Sequence, residues 1–163
     1  SIPMILLDVY VVFHMLDEDW YSRLITRITK TPINHCGIMV RPEGGDAVYY
    51  LTTVDKPWRE VNAASYFRLS PPHRIFYAGS TYHQSSKIMN LEQEYIIRPW
   101  QIILWNFVTR YVFPFWKPKS CVRFTVKTLK SMGFVIEDHT LPLKLLKELD
   151  NADYYVEWKG KSR

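Results

Sequence analysis

Apolar residues recur at two different periods along this chain, and the switching between them outlines an α+β fold. Residues 4–13 are a β-rich run, with Ile5, Leu6 and Leu7 before Asp8, and Val9, Tyr10, Val11, Val12 and Phe13 after it. The run predicts a buried strand bent near Asp8, and it is well short of the ~20 residues a membrane-spanning helix needs. Residues 17–30 change to helical spacing. Trp20, Tyr21, Leu24, Ile25 and Ile28 share one face, Ser22, Arg23, Thr26 and Arg27 the other, with Asp17 or Asp19 as N-cap and Thr31-Pro32 as the stop. Residues 35–41 and 47–53 read as strands on either side of Pro42-Glu43-Gly44-Gly45-Asp46, so 35–53 is a predicted hairpin. After a turn at 55–57 come a short strand at 58–61, a single helical turn at 62–67, and a strand at 74–78 following Pro71-Pro72.

The second half is more apolar. Residues 79–90 are polar and Ser-rich and predict a loop, and a helix can start near Leu91. Between 96 and 116, Trp100, Ile102, Ile103, Leu104, Trp105, Phe107 and Val108 crowd together, but Arg98, Arg110, Asn106 and two prolines oppose a spanning helix. Two readings stand: a core helix backing the sheet, or an aromatic face that docks a partner protein or a membrane surface through 99–116. A stiff connector at 114–118 leads to Ser120, an N-cap that opens a helix to Met132, with Gly133 as its stop. Phe134-Val135-Ile136 reads as a short extended piece, 141–149 as a helix buried through Leu143, Leu145, Leu146 and Leu149, and 154–158 as a final strand. The tail 159–163 is basic.

Composition narrows the function classes. A length of 163 residues predicts one domain spanning 1–163. The net charge of +5 favours anionic partners, yet the basic residues are scattered over helix faces and not interleaved with aromatics, so no specific nucleic-acid binding is expected. Cys36 and Cys121 are too few for a disulfide framework. No CxxC or HExxH spacing occurs, and His14, His35, His73, His83 and His139 are dispersed, so neither metal nor cofactor is expected. Residues 1–4 lack the basic start of a signal peptide; with no clear transmembrane helix, a cytoplasmic or virion-associated location is the expectation.

The residues with chemical potential are Cys121 and His35. A cysteine in a helix's first turn lies against unpaired N–H groups and the positive end of the helix dipole, which favour its thiolate. The same N–H groups can accept an oxyanion, and a histidine opening a strand is a rigid base. The pair is therefore a candidate for nucleophilic acyl chemistry, against the alternative that the cysteine is core packing and the histidine a satisfied buried residue. Strand alternation places Cys36 on the opposite face from His35, as a small buried residue and not a second nucleophile. Tyr10 is read as core. His83 lies in the polar loop, a lid or a plain surface segment, and His139 in an exposed turn after Glu137-Asp138.

The order of these features resembles the circularly permuted NlpC/P60 (papain-like) superfamily, in its YiiX-like and poxvirus-protein branch, where the histidine strand precedes the cysteine helix. Residues 8–13 are similar to the family's opening strand, and Asn34-His35-Cys36-Gly37-Ile38 to its histidine-strand motif. Trp58-Arg59-Glu60-Val61 with Ser65-Tyr66-Phe67 resembles the segment after it, and Cys121 to Gly133 resembles the family's cysteine helix, with its Phe, Leu and Gly spacing. The resemblance covers nearly the whole chain, least clearly 79–116. It implies a papain-like fold in which an antiparallel sheet packs against a Cys-bearing helix, with Cys121 as nucleophile and His35 as general base. It also implies a cysteine hydrolase or acyltransferase acting on peptide, cell-wall or lipid acyl substrates. The position that holds Glu in the family falls at about Leu51, leaving Thr52 as the orienting residue, which holds a ring but supplies no charge. That departure keeps two alternatives open: a weak or inactive domain serving as a structural component, as of a virion, and a membrane-associated lipid acyl hydrolase or transferase.

Overall fold

The computed structural model describes residues 4–15, 23, 26–27, 30, 33, 35–53, 56–83, 121–139, 142–152 and 156–158. In chain order these form β1 (Ile5–His14), β2 (His35–Pro42), β3 (Val48–Thr53), β4 (Lys56–Asn62), α1 (Ala63–Leu69), β5 (Arg74–His83), α2 (Cys121–Ser131), α3 (Pro142–Asn151) and β6 (Val156–Trp158). The strands make one sheet in the order β4-β3-β2-β1-β5-β6, with every neighbouring pair antiparallel. This is an α+β architecture with Cys121 opening a helix close to Cys36.

β1 is nearly continuous in hydrophobic residues because it is central and covered on both faces. Val9, Val11 and Phe13 join Cys36, Ile38 and Val40 of β2 on one face, where α2 and α3 pack. Tyr10 and Val12 join Met39 and Tyr49 on the other, where α1 packs. α2 places Val122, Phe124, Val126 and Leu129 against the first face, and α3 adds Leu145, Leu146 and Leu149. Fully burying a side chain of this size contributes about 1.5–3 kcal/mol, so this face is the main apolar store of the fold.

The helix ends follow from local chemistry. Asn62 caps α1 by accepting from the Ser65 N–H at 3.0 Å. α2 stops at Gly133, whose φ of 89° is open to glycine, while the N–H groups of Gly133 and Phe134 bond back to Lys130 and Leu129. Phe134 then packs beside the same core as Leu129.

Four expectations change. The bend near Asp8 appears instead as a bulge between β1 and β5, where Val9 faces Gly79 and Tyr10 faces Tyr77. β5 runs on to His83, so 79–83 is strand and not loop. Its polar residues are matched across the sheet, with Ser80 and Tyr77 both donating to Asp8 Oδ1 at 2.6 and 3.3 Å. His83 accordingly ends a strand and is not in a lid. β4 starts at Lys56, inside the expected turn, and Phe134-Val135-Ile136 has no regular structure. Most of the helix expected at 17–30, the apolar stretch 99–116, Ser120 and the basic tail lie outside the described residues. No helix among the described residues is long and apolar enough to cross a membrane.

Candidate functional site

His35 opens β2 directly across from His14, the last residue of β1. Cross-strand partners share a face of the sheet, and the two rings meet with centroids 5.8 Å apart, tilted by 38°. His14 Nε2 lies 2.9 Å from the Tyr49 hydroxyl. Tyr49 reaches it by lying over Gly37, where an added Cβ would come within 2.6 Å of the Tyr49 ring and hydroxyl. The glycine two residues after His35 is thus what lets β3 deliver a phenol to the histidine pair. Tyr66 and Phe67 of α1 close the cluster, with ring centroids 5.8 and 5.9 Å from His14.

This enclosure sets the protonation of His14. Burial, and then the neighbouring His35, lower its pKa to about 3, with the Pro71 carbonyl opposing them. A buried imidazole loses the hydration its cation needs, so His14 stays neutral across the physiological range. Burial likewise pushes the Tyr49 phenol well above its ordinary range. Two ring nitrogens, His14 Nδ1 and His35 Nε2, are buried with no well-formed hydrogen bond.

Cys121 comes from the opposite side of the sheet. It is the first residue of α2, and Thr125, one turn later, places its hydroxyl 3.6 Å from Cys36 Sγ. The Cys121 thiol is held well below the ordinary range, first by a hydrogen bond from the Cys36 side chain. Burial opposes this, while His35 supports it through a hydrogen bond and its charge, and the Cys36 backbone amide adds a further bond. The Cys36 thiol is pushed the other way, by burial and by Cys121. Within the pair, Cys121 is thus the more acidic thiol and Cys36 the less acidic one. Both Cys121 and His35 are only 8% exposed.

The sequence-predicted residues are thus brought together in part. Cys121 lies within interaction range of His35, 86 positions earlier in the chain. Thr52 lies on β3, and its side chain is outside the described residues. Cys36 is fully buried and faces away from His35, as alternation predicts, and on that face it lies beside Thr125 and Cys121 of α2. Tyr10 is core, as read, with its hydroxyl accepting from Arg41 at 3.4 Å. His14 and Tyr49 were missed. The signal was present for His14, since the alternation Tyr10, Val12, His14 ends a buried face on a polar residue.

A second cluster lies apart from this site. His139 is mostly buried, not exposed, because its Nε2 pairs with Glu148 Oε1, whose carboxylate also accepts from the Glu137 N–H. Side-chain donor atoms of Glu137, His139 and Glu148 lie within 4.8 Å of one another, beside Lys144 and Lys147.

No family model matches the chain, no curated protein matches it, and no solved structure matches it. The resemblance to the permuted NlpC/P60 superfamily therefore rests on the order and spacing of the sequence motifs alone.

Proposed function

We propose that the chain is a permuted papain-like thiol hydrolase or acyltransferase, with Cys121 as nucleophile and His35 as its acid–base partner. The observation that carries this reading is the place of Cys121, the first residue of α2, near His35 and Cys36, which lower its thiol pKa. The thiolate attacks an ester or amide carbonyl, and first-turn N–H groups of α2 accept the developing oxyanion. His35 protonates the leaving group, and the acyl group passes to water or to a second acceptor. Neutral His14, tied to Tyr49, packs against His35 without adding a competing positive charge. In this reading it takes part of the positioning role that the family resemblance gives to Thr52.

The test uses a small activated thioester and intact-protein mass. The expected result is an acyl adduct on Cys121 that is absent in Cys121→Ser and accumulates far more slowly in His35→Ala. An adduct on Cys36, or one indifferent to His35, contradicts the reading. A second reading, a structural component built on the same fold, draws on the burial of both members of the pair. It predicts that Cys121→Ser assembles with its partners as the unsubstituted chain does.

A further inference from the structure

Cys36 has no part in the acyl chemistry beyond lowering the Cys121 thiol, yet it is the sulfur nearest in kind and place to the nucleophile. Thr125 stands one helical turn from Cys121 and so shares its face of α2, and the Thr125 hydroxyl lies 3.6 Å from Cys36 Sγ. Both cysteines belong to one apolar cluster and both are free thiols, and Cys36 is the neighbour that most lowers the Cys121 thiol. The pairing joins a strand start to a helix start, two rigid elements of the core.

We propose that Cys36 and Cys121 form a reversible redox pair, in which Cys36 resolves a sulfenic acid formed on Cys121 by a hydroperoxide. The inference rests on the reading of Cys121 as the thiolate of the site. The Cys121 thiolate attacks the terminal peroxide oxygen; the O–O bond breaks, Cys121 becomes a sulfenic acid, and the alkoxide or hydroxide leaves. The Cys36 sulfur then attacks the Cys121 sulfur, passing its proton to the departing hydroxide, so that a disulfide forms and water is released. The two thiols are oxidised by two electrons together, and the peroxide is reduced. The disulfide removes the nucleophile, and a thiol reductant restores it. Because Cys36 is fully buried and Cys121 is slightly exposed, the peroxide reaches Cys121 first.

The test treats the whole chain with hydrogen peroxide and reads intact mass and unreduced peptides. Expected is the loss of two hydrogens, a crosslink between the peptides carrying Cys36 and Cys121, and full reversal by dithiothreitol. In Cys36→Ala, Cys121 gains oxygen atoms instead. Oxygen addition at Cys121 of the unsubstituted chain with Cys36 still alkylatable overturns the pair. So do disulfides between chains, or two thiols left free. Should Cys36→Ala fail to fold, the unsubstituted chain alone decides. Iodoacetamide labelling of the reduced chain separates this from the proposed function. Fast Cys121 labelling without a crosslink removes only the redox pair, whereas fast labelling with a crosslink in a chain that forms no acyl adduct from the activated thioester removes only the acyl-transfer reading.

Discussion

The two faces of the central strands are buried by different chemistry. Beneath α2 and α3, Leu7, Val11, Phe13, Ile38 and Phe76 meet Phe124, Leu129, Leu145 and Leu149, a face stabilised mainly by removal of apolar surface from water. Beneath α1, the same strands bury His14, His35 and the Tyr49 hydroxyl among aromatic rings. The first face depends on packing alone for most of its stability, whereas the second depends on which protons its residues carry. β2 supplies both, through Cys36, Ile38 and Val40 on one side and His35, Gly37 and Met39 on the other. The candidate nucleophile sits where the two meet.

The largest effect that would break this contrast is expected at Phe124, fully buried on the apolar face. Phe124→Ala should cost about 3–5 kcal/mol in denaturant unfolding, by the same amount at pH 5 and pH 8. A cost that changes strongly with pH would mean that the apolar face is not independent of the histidines. On the other face, Gly37→Ala forces a Cβ to within 2.6 Å of Tyr49 and 2.7 Å of the Tyr50 carbonyl. It should cost up to about 3 kcal/mol, and the tyrosine hydroxyl should leave His14.

Smaller per pH unit, though comparable over its whole range, is the pH dependence carried by His14. Its pKa is lowered from 6.5 to about 3 on folding, so the unfolded chain binds this proton first as pH falls. Its contribution to stability is complete above the unfolded pKa. It is lost at about 1.4 kcal/mol per pH unit between about 6.5 and 3. The difference between the unsubstituted chain and His14→Gln in unfolding free energy, followed over that range, should show this slope. A parallel pair of curves would remove His14 as its source. The smallest effect sharpens the role of α1 as cover for the polar face: Asn62→Ala should cost about 1 kcal/mol by loss of the cap.

How much of this was legible in the sequence varies with distance along the chain. Local signals gave β1, the 35–53 hairpin, the stop of α2 at Gly133 and the buried leucines of α3, since each depends on periodicity or on a single backbone preference. β5 was read too short because Ser80 and Tyr77 are satisfied by Asp8, more than sixty positions earlier, and nothing local announces that partner. Likewise His14 and Tyr49 are 35 residues apart and meet only through the register of β1 on β2 and of β2 on β3. Cys36 was assigned away from the site by simple alternation. The alternation held, since Cys36 and His35 face opposite sides of the sheet; what it does not announce is that a helix start from far along the chain lies near both.

The central claim is that Cys121 is a thiolate sustained by its neighbours, and the pH profile of its alkylation tests it most directly. Iodoacetamide labelling of Cys121, read by peptide mass from pH 5 to pH 10, should already be at its plateau near neutrality. His35→Ala should move the rise upward and slow labelling at pH 7 by about ten-fold for each unit moved. A profile rising at the ordinary thiol pKa of about 8.5 and unchanged by His35→Ala would contradict the account.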